Sequence, residues 1–111
     1  MRAVEIAEPG GPDVLRVVER DIPRLGSSDV LIRVSAAGVN RPDLLQREGK
    51  YPPPSGVTDI PGLEVSGTVV SVGSEVAWPK VGDAVMALVP GGGYAEFCAA
   101  PAGSCLKIPA G

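Results

Sequence analysis

The chain has 111 residues, 44% of them hydrophobic and 21% charged, with a formal net charge of −3. That length and balance describe one soluble globular domain with a single modest core, and they exclude a disordered tail. Basic residues are scattered from Arg2 to Lys107 with no stripe of interleaved aromatics, which argues against a nucleic-acid surface.

Only 4% of the residues are aromatic, so Val, Leu, Ile and Ala must build the core. The 15 glycines and 12 prolines favour short strands joined by turns. The opening "MRAVEIAEPGG" carries charges inside its first apolar run, so neither a signal peptide nor a membrane span is predicted, and a cytoplasmic setting is the default.

Within it "RAVEIAE" alternates as a strand and is closed by the turn Pro9-Gly10-Gly11-Pro12. "VLRVVER" follows as its partner. "DVLIRVSAAGV" carries the clearest strand pattern, with Val30, Ile32, Val34 and Ala36 on one face and Leu31, Arg33 and Ser35 on the other.

A helix is predicted over about residues 41–48. Asn40 is a good N-cap, Pro42 is tolerated early, and Asp43 both suits the first turn and completes an Asn-x-x-Asp capping box. Gly49 then serves as the C′ residue, and "YPPPSG" is a stiff loop that places Tyr51. "GLEVSGTVVSVG" reads as a long strand whose glycines at 62, 67 and 73 mark bends or close backbone approach. "VGDAVMALV", "GYAEFCAA" and "SCLKI" bring the strands to the number and spacing of an all-β barrel or sandwich.

Cys98 and Cys105, the only cysteines, form no CxxC pair and read as small core residues, with a disulfide as the weaker option. Histidine is absent, which removes His-based triads, His–metal sites and the usual base near neutral pH. Any chemistry falls to tyrosine, asparagine, carboxylates or a borrowed cofactor. The stretch "GVNRPDLLQREGKYP" concentrates such groups. "PGGGYAEF" lacks the Lys-Ser/Thr ending of a phosphate loop and reads as a flexible hairpin or loop. No G-x-G-x-x-G opens a strand-to-helix turn, so no dinucleotide-binding domain is expected within these residues. Glu64 is either solvent-exposed or paired with an arginine. Tyr51 either covers the helix end or offers its phenol to a ligand.

In order along the chain, "MRAVEIAEPGGPDVL", "DVLIRVSAAGVNRPDLLQREGKYP", "IPGLEVSGTVVSVGSEV", "VGDAVMAL" and "PGGGYAE" resemble the N-terminal part of the medium-chain dehydrogenase/reductase family. More narrowly, they resemble its zinc-free quinone oxidoreductase, or zeta-crystallin-like, branch. The resemblance spans essentially residues 1–111 and implies a mainly β, GroES-like, partly open barrel that forms the catalytic domain. Zinc-dependent relatives carry Cys where "GVNRPD" has Asn40 and His where "GLE" has Leu63, whereas Glu64 remains. The four closely spaced cysteines of a structural-zinc lobe are also missing, so no metal site is expected.

The resemblance implies hydride transfer from NADPH to a quinone or enone. It implies Asn40 and Tyr51 as catalytic groups, Asn40 and Asp43 as cofactor contacts, and Tyr51, Leu63 and Glu64 as the substrate cleft. It admits a homodimer in a full-length parent and calls for neither nucleic acid nor membrane. Because the resemblance runs out at "LKIPAG", where such chains enter their Rossmann domain, the sequence is expected to be a domain of a longer oxidoreductase and inactive alone. Two alternatives stay open: a 2-enoyl thioester reductase domain, which also uses a tyrosine in a similar loop, and a stand-alone GroES-like interaction module.

Overall fold

Alternation of apolar and polar residues in "DVLIRVSAA" produces the longest strands and puts them at the centre. The computed structural model describes residues 1–109. It contains β1 (Arg2–Ile6), β2 (Leu15–Glu19), β3 (Asp29–Ala37), α1 (Arg41–Arg47), β4 (Glu64–Val72), β5 (Ala84–Leu88), β6 (Phe97–Pro101) and β7 (Cys105–Lys107). Five strands form one antiparallel sheet in the order β6-β3-β4-β5-β7, and β1 pairs with β2 in a separate ribbon. Among the described residues, an isolated Ala3–Ala95 bridge joins the ribbon to the segment before β6. The sheets do not close on each other, which leaves the GroES-like, partly open barrel that the sequence predicts.

The core lies on the inner face of the large sheet: Val30, Ile32, Val65, Val69, Val85, Ala87, Cys98, Ala100 and Cys105 are all buried in one cluster. Burying each valine or isoleucine contributes about 1.5–3 kcal/mol, and these aliphatics stand in for the missing aromatics. Both cysteines are free thiols in that cluster, and burial raises each above its ordinary range, Cys98 to about 11.

The predicted faces of β3 hold for Val30 and Ile32 but fail at its end. Val34 pairs with Gly67 and Ala36 with Ser66, so Ser35 is an extra residue opposite β4. This bulge shifts the alternation by one residue: Ala36 faces solvent and Ala37 packs on the core instead. A Cβ at Gly67 would run into the Arg33 carbonyl, so the close approach expected there is real.

The seven-residue α1 is too short to hold itself. It is tied at its far end by Arg47 Nε donating to the Gly10 carbonyl at 3.1 Å and by Gln46 Nε2 donating to the Asp59 carbonyl at 2.9 Å. Gly49, at φ +82°, ends it in the left-handed conformation expected of C′.

"GYAEFCAA" becomes a strand only from Phe97. The glycine run before it is a loop, one of the two readings expected, but a tightly bonded one. Gly91, Gly92 and Gly93 are buried, and the N–H groups of Gly92, Gly93 and Tyr94 donate to the carbonyls of Ile60, Gly62 and Pro61 at 2.8, 3.0 and 3.0 Å. Sequence alone reads three glycines as freedom; here the missing side chains let two backbone segments lie against each other.

Candidate functional site

The bulged end of β3, the N-terminus of α1 and the start of β4 meet at one place, and a buried carboxylate joins them. Asn40 at the N-cap and Asp43 at N3 form the expected capping box, with Asp43 Oδ2 accepting the Asn40 N–H at 3.0 Å. The other oxygen, Oδ1, accepts the Gly62 N–H at 3.2 Å. The phenol of Tyr94 lies 2.7 Å from Asp43 Oδ2 and 3.2 Å from the Gly38 carbonyl. Its single proton goes to the charged acceptor, which makes the stronger bond. Burial first, and then that carboxylate, raise the phenol far above its usual range, so Tyr94 stays a donor at any physiological pH.

Asp43 is 5% exposed, and these three donors satisfy it. It therefore organises the site from within, whereas a direct contact to a bound molecule would have to displace one of them. Gly62 stands at φ +105°, and a Cβ there would strike the Tyr94 backbone and ring. Glycine thus lets Leu63 and Glu64 approach the Asn40 segment. The Leu63 carbonyl accepts the Val89 N–H at 2.8 Å, which fixes the half-buried Leu63 beside the end of β5.

Glu64 is exposed, and its partner is neither water alone nor an arginine. Asn40 Nδ2 donates to Glu64 Oε1 at 3.3 Å, and the carboxylate lies against Gly38, where a Cβ would collide with it. The Gly38 N–H also donates to the Glu64 carbonyl at 3.0 Å. Beside Glu64, an apolar trough of about 430 Å³ runs over Met86, Leu88 and Leu106 on the outer face of β5 and β7. A larger cleft of about 560 Å³, between Arg20, Thr58, Ile60 and Gly91, includes none of the predicted site residues.

Asn40, Asp43, Leu63 and Glu64 are thus brought together. Tyr51 stands apart on its proline loop, 42% exposed, and among the described residues no hydrogen bond ties its hydroxyl to them. Sequence reasoning missed Tyr94 altogether; the only signal for it was a lone tyrosine directly after three glycines. Asn40 and Leu63 offer neither the thiolate nor the imidazole donors typical of zinc sites. Among the described residues, no group of three or more His, Cys, Asp or Glu side chains could hold a metal ion. No helix among the described residues is long and apolar enough to cross a membrane.

Residues 26–110 match the family model described as the alcohol dehydrogenase GroES-like domain. The quinone oxidoreductase of Lama guanicoe is 38% identical over 111 residues, an alignment covering 98% of this chain and 34% of that protein. The structure of the human synaptic vesicle membrane protein VAT-1 homolog-like protein superposes with a TM-score of 0.89 at 38% identity, over 98% of this chain and 35% of that one. Escherichia coli quinone oxidoreductase complexed with NADPH gives a TM-score of 0.86 at 32% identity, over 98% and 33% respectively. The chain spans between 26% and 34% of the curated relatives described as VAT-1 homolog-like and quinone oxidoreductase. It belongs to the alcohol dehydrogenase GroES-like domain family, within the medium-chain dehydrogenase/reductase branch that holds the quinone oxidoreductases.

Proposed function

We propose that this domain forms the acceptor side of the active site of a zinc-independent, NADPH-dependent quinone oxidoreductase, completed by a nucleotide-binding domain in a longer cytoplasmic protein. The observation that carries this reading is the Asn40–Glu64 pair at the junction of β3, α1 and β4. By the resemblance, Asn40 and Leu63 stand where zinc-dependent relatives carry Cys and His, and neither is a usual zinc ligand. Relatives over this same stretch are named quinone oxidoreductases, and one of their solved structures is a complex with NADPH.

The donor set fits a nicotinamide better than a metal: an exposed amide and carboxylate, with backbone held by a satisfied buried carboxylate. A bound nicotinamide supplies the hydride. The chain's own residues then orient and exclude. Asn40 would contact the nicotinamide through its amide, and Glu64 and Leu63 would border the cleft that admits the acceptor. Asp43 acts on the cofactor indirectly, by fixing the Asn40 backbone. Tyr51, which stands apart from these groups, would reach the acceptor only from its own loop, stiffened by Pro52, Pro53 and Pro54.

A second reading, reduction of a 2-enoyl thioester, is favoured by one feature, the unengaged and exposed phenol of Tyr51. Tyr51→Phe in the longer protein separates the two. A quinone leaves as a stabilised hydroquinone anion that water can protonate, so the quinone reading expects a loss under about tenfold. An enoyl acceptor needs a placed proton, and losing its donor lowers the rate by ~10²–10⁴-fold. Efficient thioester turnover that collapses in the variant would overturn the quinone assignment.

A further inference from the structure

Tyr94 bonds to more separate parts of the domain than any residue of the site. Its carbonyl accepts the Val4 N–H of β1 at 2.8 Å, and its N–H donates to the Pro61 carbonyl at 3.0 Å. Its phenol reaches the Asp43 carboxylate and the Gly38 carbonyl, on either side of Asn40. The two oxygens of Asp43 in turn hold the Asn40 and Gly62 N–H groups, one on each half of the site. Tyr94 and Asp43 therefore join the segment that carries Asn40 to the segment that carries Leu63 and Glu64.

We infer that Tyr94 is a positioning residue for the reaction, acting through Asp43 to hold Asn40 and Glu64 at their working separation. The inference rests on the functional reading above for its catalytic consequence, and on geometry alone for its structural one. Without the phenol, Oδ2 of Asp43 keeps the Asn40 N–H but loses its strongest donor. With two donors left, the carboxylate is held less firmly, and the Asn40 and Gly62 segments loosen together. The burial of the phenol and its raised proton affinity keep the donor in place across the physiological range.

The test has two arms. In the 111-residue chain, amide hydrogen exchange is compared between wild type and Tyr94→Phe. A hydrogen bond to a charged group stabilises enough to make exchange at Asn40 and Gly62 roughly tenfold to a hundredfold faster when it is lost. Val69, deep in the core, reports the change in global stability alone. In the longer protein, kcat for NADPH-dependent quinone reduction falls about tenfold with little change in KM for NADPH. In the Asp43→Asn background, Tyr94→Phe adds less than about a further twofold, because the two act as one unit. Equal acceleration at Asn40, Gly62 and Val69, or fully additive losses in kcat, would reduce Tyr94 to an ordinary stabilising residue and overturn the inference. Should the variant not fold, the wild-type ¹³Cζ resonance of Tyr94 decides: it stays unshifted to about pH 11 if the phenol is buried and held by Asp43, and a transition near the ordinary tyrosine value contradicts both and overturns the inference. Absence of quinone turnover in every variant, wild type included, sinks the functional reading while the exchange arm still decides the role of Tyr94.

Discussion

Asn40 Nδ2 donates to Glu64 Oε1 across 3.3 Å, and the same carboxylate rests on Gly38. This contact joins the exit of β3 to the entry of β4 at the point where the candidate site opens to solvent. The amide group is therefore engaged on its outward side by a carboxylate while its backbone N–H is held on the inward side by Asp43.

Asn40→Asp tests that arrangement. Aspartate is as good an N-cap as asparagine, so capping alone predicts no loss. Here it sets a second carboxylate against Glu64, and like charges at an exposed site lower stability by about 0.5–1 kcal/mol. For a domain of this size that corresponds to a melting temperature lower by about 2–8 °C at pH 7. The deficit should shrink near pH 4, where carboxylates begin to protonate, and disappear at pH 7 when Glu64→Gln is added. A variant as stable as wild type at pH 7 would show that the pair does not form in solution.

Two glycines predict losses of very different size for the same substitution. At Gly67 a Cβ meets the Arg33 backbone and the Ile32 side chain, and neither can withdraw. Gly67→Ala should lower stability by about 2–4 kcal/mol or prevent folding, as overpacking against fixed atoms does. At Gly38 the obstacle is the end of the Glu64 side chain, which can swing away. Gly38→Ala should fold with a loss under about 1 kcal/mol while breaking the Asn40–Glu64 contact. Denaturant titration of both variants checks the contrast.

The two buried thiols and Tyr94 set an alkaline limit. Unfolded, Cys98 ionises around its ordinary 9.0; folded, it keeps its proton to about 11 because burial opposes the thiolate. Between those values the folded chain binds more protons than the unfolded one, so stability is full below pH 9 and falls as pH rises. Each unit of difference is about 1.4 kcal/mol, so the loss from Cys98 approaches roughly 2–3 kcal/mol by pH 11. Cys105 and Tyr94 act in the same direction, Tyr94 from about pH 10 upward. Cys98→Ala should be less stable at pH 7 yet show a flatter decline between pH 9 and 11, measured as denaturation midpoints. An unchanged slope would mean that Cys98 is open to water.

What the sequence reveals here is what depends on neighbours along the chain. Asn40 and Asp43 are three positions apart, so their box is legible, as is Gly49 ending the helix. Alternation finds β3 and β4, but a single extra residue, Ser35, inverts the face of Ala36, and no local rule marks where a bulge falls. The Tyr94–Asp43 bond spans 51 positions and the Asn40–Glu64 bond 24, and these distances along the chain are closed only by the sheet. Glu64 is solvent-exposed, one of the two readings its strand context offers, whereas its amide donor comes from another segment that no local pattern marks. The glycine run suggests mobility by composition, whereas its packing against Ile60–Gly62 depends on the partner backbone.

The most direct measurement is NADPH oxidation with a quinone acceptor, made on the longer protein that carries this domain after dialysis against a strong chelator, with metal content determined on the same sample. Turnover should persist undiminished with less than about 0.1 zinc per chain, since neither Asn40 nor Leu63 can hold the ion. The 111-residue chain alone should oxidise no NADPH under the same conditions. Stoichiometric zinc whose removal abolishes turnover, or a metal-free protein that reduces no quinone, would contradict the assignment.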